Sequence, residues 1–86
     1  MDNHALRWFS SSPLLIGAHS GYNAKAFLFP LHFNIQEKMD NTCQCACTIM
    51  DTEMTYVWDA LNLEQAKEQC QIIVNKFCYY LWHAGD

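Results

Sequence analysis

Charge is scarce in this chain: 16% of its 86 residues are charged, and five basic residues stand against nine acidic ones. A nucleic-acid binder needs a basic face to displace counterions from phosphates, and a formal charge of −4 argues against that class. Glycine occurs three times and proline twice. That leaves no glycine-rich phosphate loop, no low-complexity tract and no interdomain linker. No apolar run approaches the roughly eighteen residues of a membrane-spanning helix. The opening MDNHALRWFSSS lacks the basic-then-apolar order of a secretory signal, which leads to the expectation of a cytoplasmic protein. HExxH, GxSxG and a paired-carboxylate arrangement are missing as well, so the chain is expected to be non-enzymatic and to need no cofactor.

What the chain does have is apolar mass. Half of it, 51%, is hydrophobic and 14% is aromatic, ample to offset chain entropy in a single domain. The clearest periodicity lies at 62–82. Leu63, Ala66, Cys70, Ile73, Val74, Phe77 and Leu81 recur at steps of three and four, one stripe of a long C-terminal helix. Asn62 and Gln65 have the spacing of a capping box, and Glu64 suits the positive end of the helix dipole.

Upstream the period changes to two. Residues 1–13 read as an arm or edge strand that lays Trp8 and Phe9 on the core. Leu14 to Ala18 reads as a short strand, and Ser20-Gly21 as a tight turn. From Tyr22 to Ile35, Phe27, Phe29, Leu31, Phe33 and Ile35 alternate with Ala26, Leu28, Pro30, His32 and Asn34, which predicts one strand, bulged or at an edge near Pro30. Gln36 to Asn41 follows as a polar turn. Thr42 to Met50 alternates again, with Cys43, Cys45, Cys47 and Ile49 inward. After a turn at Asp51 to Glu53, Met54 to Leu61 reads as a third main strand. The expectation is an α+β fold: an antiparallel meander of three to four strands over 14–61, packed against the helix.

Three groups of residues could carry function. The five cysteines are an odd number, and Cys43, Cys45 and Cys47 sit at alternate positions. Alternate strand positions point one way at intervals of roughly 6.5 to 7 Å, a spacing for packing and not the turn-borne pairs that curl around zinc. They are expected to be buried, reduced hydrophobes facing Cys70, with no metal. A small zinc-binding domain completed by some of the four histidines remains an alternative. The second group is acidic. Asp51, Glu53, Asp59, Glu64 and Glu68 are opposed within their segment by Lys67 alone, while Asp2, Glu37, Asp40 and Asp86 are matched by Arg7, Lys25, Lys38 and Lys76. This predicts an acidic end able to dock on a basic surface of another protein. The third is FCYYLW at the helix end, apolar or aromatic on every side, so that Tyr79, Tyr80 and Trp82 become partner-binding candidates. A homo-oligomer, at its simplest a homodimer, assembling through that end is the other alternative.

The order of parts also carries a resemblance. GYNAKAF leading into an alternating strand, then ALNLEQAKEQCQ opening the last helix, resembles the small strand-strand-strand-helix proteins encoded by phages and other mobile elements. Several of these are anti-CRISPR inhibitors of host defence. The resemblance covers Tyr22 to Gln71 and transfers no catalytic residue. It implies an inhibitor that binds a protein target, a nucleic-acid-handling effector complex in a bacterial cytoplasm, and obstructs its nucleic-acid surface without itself binding nucleic acid or membrane.

Overall fold

The computed structural model describes residues 5–26 and 29–83, with side chains described through 77. Five strands form one antiparallel sheet: β1 (Phe9–Ser11), β2 (Ala18–Lys25), β3 (Leu31–Lys38), β4 (Cys43–Ile49) and β5 (Met54–Ala60). Their spatial order is their chain order, and a single helix, α1 (Leu63–His83), follows. The fold is α+β, a meander of five strands on one helix. The strand beyond the expected three to four comes from the arm, whose Phe9, Ser10 and Ser11 pair with Asn23, Tyr22 and Gly21.

Where pattern and structure differ, turns are the reason. The Tyr22–Ile35 segment is two strands, because the chain reverses through Ala26–Leu31. Ala26 N–H donates to Leu31 O at 3.0 Å and Leu31 N–H to Phe29 O at 2.8 Å. Pro30, with no N–H to give, sits outside both strands, and its carbonyl accepts from Met50 N–H at 2.7 Å. Period-two alternation continues through so tight a reversal, so hydrophobicity alone does not mark it. Phe27 and Leu28 lie outside the described residues. The predicted polar turn at Gln36–Asn41 begins later, since Gln36 to Lys38 complete β3. Asn41 then takes a left-handed φ of 70°, and Asp40 Oδ1 accepts from the Thr42 amide at 3.0 Å and hydroxyl at 2.6 Å.

The predicted Leu14–Ala18 strand is irregular chain up to Ala18, where β2 begins, and is closed by Ala18 N–H donating to Leu15 O across Gly17, whose φ is 92°. Ser20-Gly21 is no turn, but part of β2. Gly21 is glycine for want of room: a Cβ there would lie 2.9 Å from Ser11 Oγ, 3.0 Å from Ser12 O and 3.1 Å from Gln36 Nε2.

The helix begins where the capping residues say it should. Gln65 N–H donates to Asn62 Oδ1 and Leu61 N–H to Gln65 Oε1, both at 2.8 Å. Its buried stripe, Ala66, Cys70 and Val74, lies on Leu31, Phe33 and Ile35 of β3 and Cys43, Cys45 and Cys47 of β4. Phe29 and Phe77 close one end as a T-shaped pair, with centroids 5.1 Å apart and planes at 67°. Trp8 packs against the core as expected, Leu6 packs there as well, and Leu6 N–H donates to Gln71 Oε1 at 2.8 Å. Phe9 does not; it is 67% exposed, because successive residues of an extended chain point to opposite faces and Trp8 has taken the inner one.

The other sheet face carries a ladder of amides. Gln36 Nε2 donates to Asn34 Oδ1, Asn34 Nδ2 to Asn23 Oδ1, and Asn23 Nδ2 to Ser11 Oγ, at 2.9, 2.8 and 2.7 Å. Gln36 is buried although it was expected in a turn. The 12–17 segment covers it, and its Oε1 accepts from the amides of Leu14 and Leu15 at 2.7 and 3.2 Å.

Candidate protein-binding surface

Hairpin registry decides which candidate residues meet. Ile49 pairs with Met54 at the tip of the β4–β5 hairpin and Cys43 with Ala60 at its base. Asp51 and Glu53 lie in the tip turn, where Glu53 adopts a φ of 59°. Asp59 pairs with Gln44 near the base, six residues along β5 from Glu53 and so roughly 20 Å away. Gln44 and Asp59 lie on the sheet face opposite the helix, since Cys43, Cys45 and Ala60 are buried beneath it. Glu64 and Glu68 are one helical turn apart and exposed on the side of α1 away from Ala66, Cys70 and Val74. The acids therefore occupy three places, not the one end expected: hairpin tip, open sheet face and helix back. Among the described residues none of the five makes an ion pair; the pair recorded is His19–Glu37, at 3.8 Å.

Tyr79, Tyr80 and Trp82 fall in the last turns of α1, with side chains outside the described residues.

Sequence reasoning missed a second feature, the outer strand. β5 is the last strand of the sheet, and among the described residues nothing pairs with its outer side. Met50, Met54, Tyr56, Val57 and Leu61 are all about half exposed or more, and Ile72 is exposed on the helix. Trp58 is anchored, its Nε1–H donating to Gln69 Oε1 at 2.8 Å. The signal was present in MTYVWDA, where Met54, Tyr56, Trp58 and Ala60 keep the alternation of a strand with one wet face and Val57, between Thr55 and Asp59, puts an apolar side chain on the other.

The thiols form a buried row. Cys43, Cys45, Cys47 and Cys70 are free and buried. Burial pushes every one of them up; Cys45 reaches about 12, with Cys43 and Asp59 adding to the effect, and Cys70 rises further through its burial and its neighbours Cys45 and Cys47. Thiols so shifted stay protonated at neutral pH, whereas the nucleophile and the metal ligand are thiolates. His32 belongs to the opposite sheet face, paired with Lys25 and Thr48, and burial followed by the Lys25 charge lowers its pKa. No three His, Cys, Asp or Glu side chains among the described residues converge closely enough to hold a metal ion.

At the β2–β3 end, His19 Nδ1 lies 2.8 Å from Ser20 Oγ, while its Nε2 is 3.8 Å from Glu37 Oε1. The second distance exceeds a hydrogen bond, so the carboxylate does not orient the imidazole as a relay requires. A hollow of about 210 Å³ on the open face is lined by Leu14, Leu15, Asn34, Gln36, Gln44 and Ala46. It is smaller than the roughly 300 Å³ at which ligand pockets begin. No helix among the described residues is long and apolar enough to cross a membrane. Comparison with protein-family models, with curated proteins and with solved structures finds no match to this chain.

Proposed function

We propose that this protein acts by occupying a surface of another protein and not by turnover: an inhibitor of the anti-CRISPR kind that obstructs the nucleic-acid-binding face of a bacterial defence complex. The observation that carries this reading is the β4–β5 hairpin, where Met50, Met54, Tyr56, Val57 and Leu61 are exposed among the unpaired acids Asp51, Glu53 and Asp59. Exposed apolar area supplies affinity, and acids around it supply attraction to a basic target. Glu64 and Glu68 extend the negative field onto the helix back. Tyr79, Tyr80 and Trp82 enter on sequence alone, as a second surface.

The test is DNA binding by purified CRISPR effector complexes, followed by mobility shift with and without the protein at rising salt. The expected result is loss of DNA binding by at least one complex, weakening as salt screens the charges. Glu64→Lys with Glu68→Lys is expected to weaken inhibition about tenfold, ~1.4 kcal/mol for the pair. Undisturbed DNA binding by every complex at micromolar protein would remove the reading.

A further inference from the structure

We infer that the outer side of β5 takes up an extended, basic segment of the partner as a sixth strand. This deepens the reading above and rests on it. An edge strand turns the N–H and C=O of every second residue outward, and natural proteins usually blunt such an edge with lysine, proline, a bulge or a covering loop. β5 has none of these among the described residues: seven residues, no lysine, no proline and an unbroken register with β4 from Met54 to Ala60. Its side chains are ready for a neighbour on both faces. Val57 is exposed on the open face between Thr55 and Asp59, and Tyr56 on the helix face next to the anchored Trp58.

Charge selects the occupant. A second copy of this chain is disfavoured in each antiparallel register that uses the full strand. Centred on Val57, pairing sets Asp59 of one copy opposite Thr55 of the other, two residues or roughly 7 Å from its Glu53, and symmetry repeats the clash. Centred on Tyr56, Asp59 and Glu53 stand directly opposite. Like charges across strands destabilise. A strand with lysine or arginine at its ends and β-branched residues between reverses both contacts, and main-chain bonds with alternate side-chain contacts hold it, as in β-augmentation.

The experiment uses the full chain with three end-blocked seven-residue peptides. The first reads lysine, valine, threonine, valine, threonine, valine, lysine; the second has glutamate for both lysines, and the third proline for the central valine. Backbone amide exchange and amide shifts are read by NMR at millimolar peptide. The expected result is at least tenfold slower exchange at alternate residues of β5 with the lysine peptide alone. Equal protection by the glutamate peptide, protection or shifts confined to other elements, or no response to any peptide overturns the inference. So does a particle of two chains with β5 amides already protected before peptide is added. Val57→Lys, at an exposed position, should preserve the melting temperature and abolish peptide protection. If a complex inhibited by the wild type is inhibited equally by Val57→Lys but less by the Glu64→Lys, Glu68→Lys variant, strand addition fails while the inhibitor reading stands.

Discussion

Raising the pH should destabilise this protein through its buried thiols. Cys43, Cys45, Cys47 and Cys70 are buried between helix and sheet, and burial pushes all four up, Cys45 to about 12 from an ordinary 9.0. Above about pH 9 the unfolded chain gives up thiol protons that the folded chain keeps. The unfolded state then binds fewer protons, so stability is intact below that pH and falls as pH climbs toward the folded values. For a thiol moved as far as Cys45, the loss by about pH 10 is ~1.4 kcal/mol. Cys70 moves in the same direction, and together the two account for ~3 kcal/mol, a large part of a typical stability of about 5–15 kcal/mol. The assay is guanidinium unfolding under reducing conditions, followed by circular dichroism between about pH 7 and about pH 10. Tyrosine and lysine begin to titrate over the same range, so the informative quantity is the difference from a Cys45→Ala, Cys70→Ala variant. That variant should start less stable and lose ~3 kcal/mol less on going to about pH 10. Equal pH slopes for the two proteins, or a flat wild-type profile, would refute the reasoning.

Two further outcomes follow from packing. Phe29→Ala and Phe77→Ala should each cost ~3 kcal/mol, with a coupling of about 1 kcal/mol in the double-mutant cycle from the edge-to-face contact; strictly additive losses would mean that the rings stabilise separately. Gly21→Ala should cost about 1–3 kcal/mol, because the new methyl meets Ser11, Ser12 and Gln36, and it should loosen β1 first. Hydrogen exchange at Ser10 and Ser11 faster than in β3 is the signature to look for.

Much of the architecture could be read in one dimension because it follows from local rules. The helix start is written in Asn62 and Gln65, whose side chains satisfy amides within four residues. The inward set of β4 is written in the alternation of its cysteines, and these do lie buried under Cys70. The misreadings cluster where a residue has two uses. Gly21 suggested a turn, but its role is to make space between neighbouring strands. Pro30 suggested a flaw in one strand, but it divides two. Phe9 suggested a second aromatic on the core, but a strand has room for one inward residue in each consecutive pair.

The candidate surface was legible only in part. The five acids could be counted, and the count led to one acidic end. The antiparallel register of β4 and β5 puts Asp51 and Glu53 at the tip and Asp59 near the base, and the winding of α1 turns Glu64 and Glu68 to its outer side. MTYVWDA could be recognised as a strand, since its β-branched and aromatic residues favour the extended chain wherever it lies. The expected meander already placed it last in the sheet, but that its outer side stays uncovered among the described residues could not be read, because cover is set by long-range packing.

The sequence by itself determined the helix and its start, the strands β4 and β5, and the inward sides of β3 and β4, since periods of 3.6 and 2 are properties of the chain alone. Only the tertiary structure decided that the outer side of β5 is left uncovered among the described residues, and that the acids divide among three places. Neighbourhood across a sheet is set by long-range pairing, and no local pattern encodes which strand is left without a partner.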